Sequence, residues 1–173
     1  MGLKVLGKMA AAGMLAVAVL AAPGMMKAQA AGDTVLKPAD LQKLLPAAVY
    51  YRGQTATTQL RNSGGVKFAD GYYVLATMAD TSGYSTEVAS KYQAYFIVEV
   101  PLKVNGQSLA AGVYGIGFVD GKFLVTDVGA HDVLTANVAQ DANLKRPMPL
   151  EVKADPAGGY RIYAGRKYVS FTR

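Results

Sequence analysis

Two dipeptides, one Asn-Gly and one Asp-Gly, lie among runs of alternating apolar and polar residues, and they limit what this chain can fold into. Residues 91–104 place apolar side chains on one parity and mostly polar ones on the other, with Tyr92, Ala94, Phe96, Val98, Val100, Leu102 and Val104 on the apolar side. Such alternation predicts a strand with one buried face. Asn105-Gly106 follows, and Asp120-Gly121 ends the next apolar run; both dipeptides are typical of two-residue hairpin turns. A three-stranded antiparallel meander is therefore predicted over residues 91–128, with an edge or a bulge at Pro101, which has no N–H to donate.

The rest of the chain shows the same organisation. One short helix is predicted within residues 33–46, because Pro38 suits a first helical turn and Pro46 ends the pattern. Residues 132–143 fit either a short helix capped by Asp132 or an irregular crossover. Turns are predicted at 62–65, 70–71, 81–83 and 155–159, between strands at 48–51, 55–61, 66–68, 72–79, 150–154, 160–163 and 167–171. Many short strands without alternating helices predict an all-β fold, a single antiparallel β-barrel or β-sandwich of about eight strands.

The first thirty residues have the pattern of a secretory signal peptide. Lys4 and Lys8 precede an apolar core at 9–22, and Ala28-Gln29-Ala30 resembles a signal-peptidase site. The apolar core is shorter than the ~20 residues of a membrane-spanning helix, and Pro23-Gly24 ends it. We therefore expect an exported protein, periplasmic or extracellular, whose residues 31–173 form a single β-rich domain without a transmembrane helix.

Composition excludes several functions. The chain has no cysteine, so it can form no disulfide, thiol nucleophile or thiolate metal site. Beyond residue 30 it carries 15 basic and 12 acidic residues, a net charge of +3 that is too small and too scattered for a nucleic-acid partner. Short basic pairs such as Lys145-Arg146 and Arg166-Lys167 suit solvated strand edges.

The hairpin around Asp120-Gly121 supplies the first candidate ligand-binding residues. Counting outward from the turn places Gly115 and Gly117 together on one strand face and sets Tyr114 opposite Asp127. A face without side chains can admit a bulky neighbour, let the strand coil sharply, or leave room for a ligand. A hydrogen bond between the Tyr114 phenol and the Asp127 carboxylate is expected at its end.

His131 is the only histidine and so the one candidate for acid–base chemistry near neutral pH. No Gly-x-Ser-x-Gly motif supplies a nucleophile for it. Asp127, His131 and Asp132 offer a carboxylate–imidazole–carboxylate set, but zinc sites usually contain more than one histidine or several thiolates. The favoured interpretation is that Asp132 caps a helix and His131 lies in the loop before it. No catalytic residue, metal or cofactor is predicted.

Two functions from different classes remain. The first is a non-enzymatic β-protein that binds a small apolar or amphipathic molecule, inside a barrel or at its mouth, near Gly115, Gly117, Tyr114, Asp127 and His131. The alternative is a structural or interaction module of the cell envelope that binds protein or glycan. Tyr95 and Ile97 favour the alternative, because they break the polar face of the 91–104 run. A small outer-membrane barrel and a His131-centred hydrolase rank lower.

Overall fold

The computed structural model describes residues 32–173, and the expected signal peptide lies outside them. Within the described residues the chain forms strands and two short helices, α1 (Pro38–Leu41) and α2 (Thr86–Lys91). The strands are β1 (Thr34–Leu36), β2 (Ala48–Tyr51), β3 (Gln54–Lys67), β4 (Tyr73–Ala79), β5 (Ala94–Val98), β6 (Leu102–Val104), β7 (Gln107–Leu109), β8 (Gly112–Val119), β9 (Lys122–Thr126), β10 (Asp132–Asn137), β11 (Ala139–Gln140), β12 (Glu151–Ala154), β13 (Tyr160–Ala164) and β14 (Lys167–Thr172).

These strands form two antiparallel sheets, which confirms the all-β prediction. The first sheet has the order β1-β3-β4-β5-β8-β9-β10, with β2 on β3; the second has the order β12-β13-β14-β6-β7, with β11 on β14. The barrel alternative is wrong, because the sheets do not close into one cylinder. The count of about eight strands is also too low. Some runs predicted as one strand contribute a segment to each sheet.

The predicted meander is the clearest case of such a division. Its first strand becomes β5 in the first sheet and β6 in the second, separated at Pro101, and its return strand is divided into β7 and β8. The pairing of β5 with β8 and of β8 with β9 confirms the meander. One long bent hairpin therefore belongs to both sheets.

The register around Asp120-Gly121 is also confirmed, as far as Gly115 opposite Thr126. The two turn residues have φ of 48° and 74°, the left-handed pair of a type I′ turn. The strand pairing ends at Thr126, so the predicted hydrogen bond between Tyr114 and Asp127 is wrong. The Tyr114 hydroxyl donates instead to the Ala110 carbonyl at 3.0 Å.

The main core lies between the two sheets. Phe96 of the first sheet and Phe171 of the second meet edge-to-face with ring centroids 6.4 Å apart. Ile116 and Ile162 contribute from the same two sheets, and all four side chains are buried. Alternation along each strand therefore packs two inner faces against each other, as in a sandwich.

A second layer covers part of the outer face of the first sheet. Strand β3 pairs with β4 through Gln59 and Met78, and then resumes with Ser63 and Thr77, which leaves residues 60–62 in a bulge. The turn predicted at 62–65 is therefore wrong, since β3 continues to Lys67. Bulges bend the strand that carries them, and β2 with the first part of β3 packs against α2 and the outer face of β8 and β9.

Two segments differ from prediction for local reasons. Residues 91–93 were expected in a strand, but α2 begins at the Ser85 cap, whose Oγ accepts the Val88 N–H, and extends to Lys91. Residues 132–143 form no capped helix, and they pass from the first sheet to the second as the strands β10 and β11 and not as an irregular crossover. Leu134 and Ala136 are buried at alternate positions of β10, which pairs with β9, so a strand forms where a helix cap was expected at Asp132.

Candidate functional site

The residues predicted to bind a ligand fall in separate parts of the first sheet. Gly115 and Gly117 lie on its outer face, whereas Tyr114 points its side chain into the core between the sheets. Asp127 and His131 lie in the loop after β9. The structure thus brings Asp127 and His131 together but leaves Tyr114 apart from them.

The glycine face is filled by protein. A Cβ on Gly115 would lie 2.6 Å from Cδ2 of Tyr92 and 2.9 Å from Cε2 of Tyr51. A Cβ on Gly117 would lie 2.4 Å from the carbonyl oxygen of Lys91, at the end of α2. All three distances are well inside van der Waals contact, so these glycines let bulky neighbours approach. Ligand binding at this face stays a prediction.

Three tyrosines form the cluster that packs on Gly115. The rings of Tyr51 and Tyr92 stack with centroids 3.9 Å apart and planes 17° apart, and Tyr84 meets both edge-on. The Tyr51 hydroxyl shares a hydrogen bond with Oγ1 of Thr126 at 2.9 Å. Burial raises the pKa of the Tyr92 phenol far above its usual range. Tyr95 packs partly against this cluster and is half-buried.

Ile97 lies on the same face as Tyr95 and is also half-buried. It packs partly against a small apolar cluster in which Leu41 and Leu45, in and just after α1, cover Leu75 of β4. Tyr95 and Ile97 are therefore neither a free apolar surface nor buried beneath the second sheet. Interaction through these two residues stays a prediction.

The loop after β9 is organised by Asp127. Its Oδ1 accepts the N–H groups of Gly129 at 2.8 Å and His131 at 2.9 Å, and its Oδ2 lies 3.0 Å from the His131 Nδ1. The pKa of the Asp127 carboxyl is lowered, mainly by the hydrogen bond that it accepts from the His131 N–H and next by its hydrogen bond with the His131 side chain. The His131 side chain is 81% exposed. Across residues 32–173, no group of three or more His, Cys, Asp or Glu side chains is arranged to hold a metal ion.

A cavity of about 310 Å³ lies where the two sheets meet, and none of the residues predicted to bind a ligand lines it. Strand β1 is one edge of the first sheet and β12 is one edge of the second. The apolar wall comes from both edges, with Val35 and Leu36 of β1, Pro38 of α1 and Val152 of β12. The cavity thus occupies the junction of the two edges.

Gly64 allows β12 to lie against β3 beside this cavity. A Cβ at position 64 would be 2.5 Å from the Val152 nitrogen, a distance that no real side chain maintains. The Gly64-Gly65 pair is typical of a turn, yet glycine inside a strand also marks a close approach of another backbone. That second meaning is the sequence signal that could have located the junction.

Four polar side chains complete the lining: Lys37, Ser63, Glu151 and Lys153. Lys153 Nζ lies 3.1 Å from Oε2 of Glu151, whose side chain is 17% exposed. The other carboxylate oxygen, Oε1, is buried without a hydrogen-bond partner among residues 32–173. Ser63 donates its hydroxyl to the Leu60 carbonyl and so is occupied within the bulge. The lining residues therefore combine an apolar wall with a glutamate, one of whose carboxylate oxygens is buried and unsatisfied.

Comparison with known proteins finds no matching family model, and neither the curated proteins nor the solved structures include a significant match. Over residues 32–173 no helix has the length and apolar character needed to cross a membrane.

Proposed function

We propose that this chain is an exported, non-enzymatic protein that binds a small amphipathic molecule in the cavity between β1, α1 and β12. The cavity carries the proposal. Its volume is at the lower end of the ~300–1,000 Å³ range of ligand pockets. Its mostly apolar wall with a few polar groups is the composition that such pockets have.

The location of the proposed ligand differs from the one expected from the sequence. A binding site between the sheets would need space that Phe96, Phe171 and their neighbours fill by packing against each other. A binding site on the glycine face would need the volume that Tyr92 and Lys91 occupy. A ligand at the junction of the sheet edges would displace neither the core side chains nor these two residues. Export and the absence of catalysis rest on the sequence patterns alone.

Native mass spectrometry tests this proposal. The protein is purified without denaturation from the compartment to which cells export it, and bound molecules are extracted with organic solvent. The variant Val35→Trp should block the cavity from its β1 wall, and Val113→Trp is a matched control at an exposed position of β8. We expect a stoichiometric small molecule with the wild type and the control, and none with Val35→Trp. Equal retention by both variants would place the ligand elsewhere.

A second candidate is a cell-envelope module that binds protein or glycan. It is favoured by apolar side chains near one end of the first sheet, where Tyr50 is 56% exposed and Val128 is 41% exposed. A hydrogen bond of 2.9 Å from the Arg52 N–H to the Val128 carbonyl joins the β2–β3 turn to the loop after β9. A bare mass for the wild type would favour this candidate, and glycan-array binding lost on Tyr50→Ser would support it.

A further inference from the structure

The unpartnered Oε1 of Glu151 constrains what the cavity accepts. An ionised carboxylate can only accept hydrogen bonds, and burying one of its oxygens without a donor is costly. Lys153 satisfies the other oxygen, Oε2, and Ser63 already donates within the bulge. Neither of these neighbours supplies the missing hydrogen bond. The terminal torsion of a glutamate is soft, so the carboxylate can turn toward a donor placed in the cavity.

The charge of the lining selects the kind of donor. Lys37 and Lys153 against Glu151 leave the lining with one net positive charge. A cationic headgroup would bring a third positive charge beside two lysines, and an anionic headgroup would face the Glu151 carboxylate. A neutral group with an N–H or O–H meets neither repulsion.

We propose that the ligand of this cavity is a neutral amphipathic molecule whose polar end, an amide or a hydroxyl, donates a hydrogen bond to Glu151. Glu151 is then the residue that determines headgroup specificity, and the wall of Val35, Leu36, Pro38 and Val152 holds the apolar body. This inference rests on the proposed function, because it assumes that the cavity is a binding site.

The experiment uses matched probes of similar apolar body. Hexanamide carries two N–H donors, N,N-dimethylhexanamide carries none, and hexanoate carries a negative charge. Each is titrated into isotope-labelled protein while the amide resonances of Ser63, Gly64 and Val152 are followed by NMR. Because a hydrogen bond to a charged group is among the stronger ones, we expect hexanamide to bind at least about tenfold more tightly than its dimethyl analogue.

Two variants separate the hydrogen bond from probe size and from loss of the ion pair. Glu151→Met keeps the side-chain length and removes the acceptor, so the preference for hexanamide should fall to about twofold or less. Lys153→Met breaks the same ion pair but keeps the carboxylate, and it should retain the preference. Urea unfolding of both variants checks that each is folded before titration.

The outcomes distinguish the inference from the proposed function. If no probe shifts the three cavity resonances up to millimolar concentration, the cavity is not the binding site and the proposed function fails. If the amides bind equally, if hexanoate binds most tightly, or if Glu151→Met keeps the preference, the cavity binds but the inference is overturned.

Discussion

Replacing Gly117 with alanine should destabilise the protein, because it puts a methyl group into the end of helix α2. The new Cβ would lie 2.4 Å from the Lys91 carbonyl oxygen and 2.9 Å from that of Ser90. Carbon contacts are comfortable at about 3.5 Å, so α2 and β8 would have to separate by about 1 Å. The helix end resists this movement, because the Gln93 N–H donates to the Ile116 carbonyl at 2.9 Å.

The expected loss is about 2 kcal/mol in the free energy of unfolding. Overpacking costs roughly 1–3 kcal/mol, and the upper half of that range applies here because the obstructing atoms belong to backbone. Alanine recovers about 0.4–1 kcal/mol by restricting the unfolded chain. Gly117 does not have the positive φ that would add backbone strain, so the substitution measures packing.

Urea unfolding followed by far-UV circular dichroism provides the assay, with Gly83→Ala as the matched control. A Cβ on Gly83 would find only the Oε1 of Gln54, at 3.7 Å. We expect that control to be stabilised by about 0.4–1 kcal/mol, because it gains the restriction of the unfolded chain without a clash. Equal midpoints for Gly117→Ala and Gly83→Ala would refute the reasoning. Helix α2 would then not rest on β8, and the glycine face would be open to a ligand.

Three further substitutions test separate parts of the fold by urea unfolding. Arg52→Asn should stabilise by about 0.5 kcal/mol, because Arg52 has φ 45° in a type I′ turn where Asn is preferred; unchanged stability would contradict this. Tyr51→Phe should cost about 1 kcal/mol by removing the buried hydrogen bond to Thr126. Burial alone would raise the pKa of Asp155, but the hydrogen bonds that its carboxylate accepts from Arg161 and other donors outweigh burial and lower the pKa. The ionised carboxylate therefore stabilises the fold at any pH above the ordinary Asp pKa. This stabilisation is lost as the pH falls through the lowered pKa of the folded state. Asp155→Asn should cost about 2 kcal/mol at pH 7, with the difference from wild type shrinking below about pH 4; a constant difference would argue against the ion pair.

Local patterns in the sequence predicted much of the first sheet. The turn at Asp120-Gly121 and the register of the hairpin around it follow from two residues that adopt positive φ and from strict alternation beside them. Strand β2 was predicted with its observed bounds, Ala48–Tyr51. These features depend on neighbouring residues only, which is why they are accessible without a structure.

The division into two sheets depends on contacts that no local pattern contains. The alternation of residues 91–104 continues through Pro101, although the chain changes sheet there. The first three residues of that run are also compatible with a helix end, and the Ser85 cap and the packing of α2 on Gly117 decide between the two. Tertiary packing thus overrides a period-two pattern that is correct for the residues on either side.

The glycines explain why the glycine face was predictable from the sequence and the candidate cavity was not. Gly115 and Gly117 alternate on a single strand, so their shared face is visible in the sequence, although what fills it is not. Gly64 acts on β12, whose Val152 is far away along the chain, and the cavity forms beside that contact. At all three positions the missing side chain admits another part of the protein. A binding space arises next to such a contact, where Gly64 brings two sheet edges together and their side chains do not fill the junction.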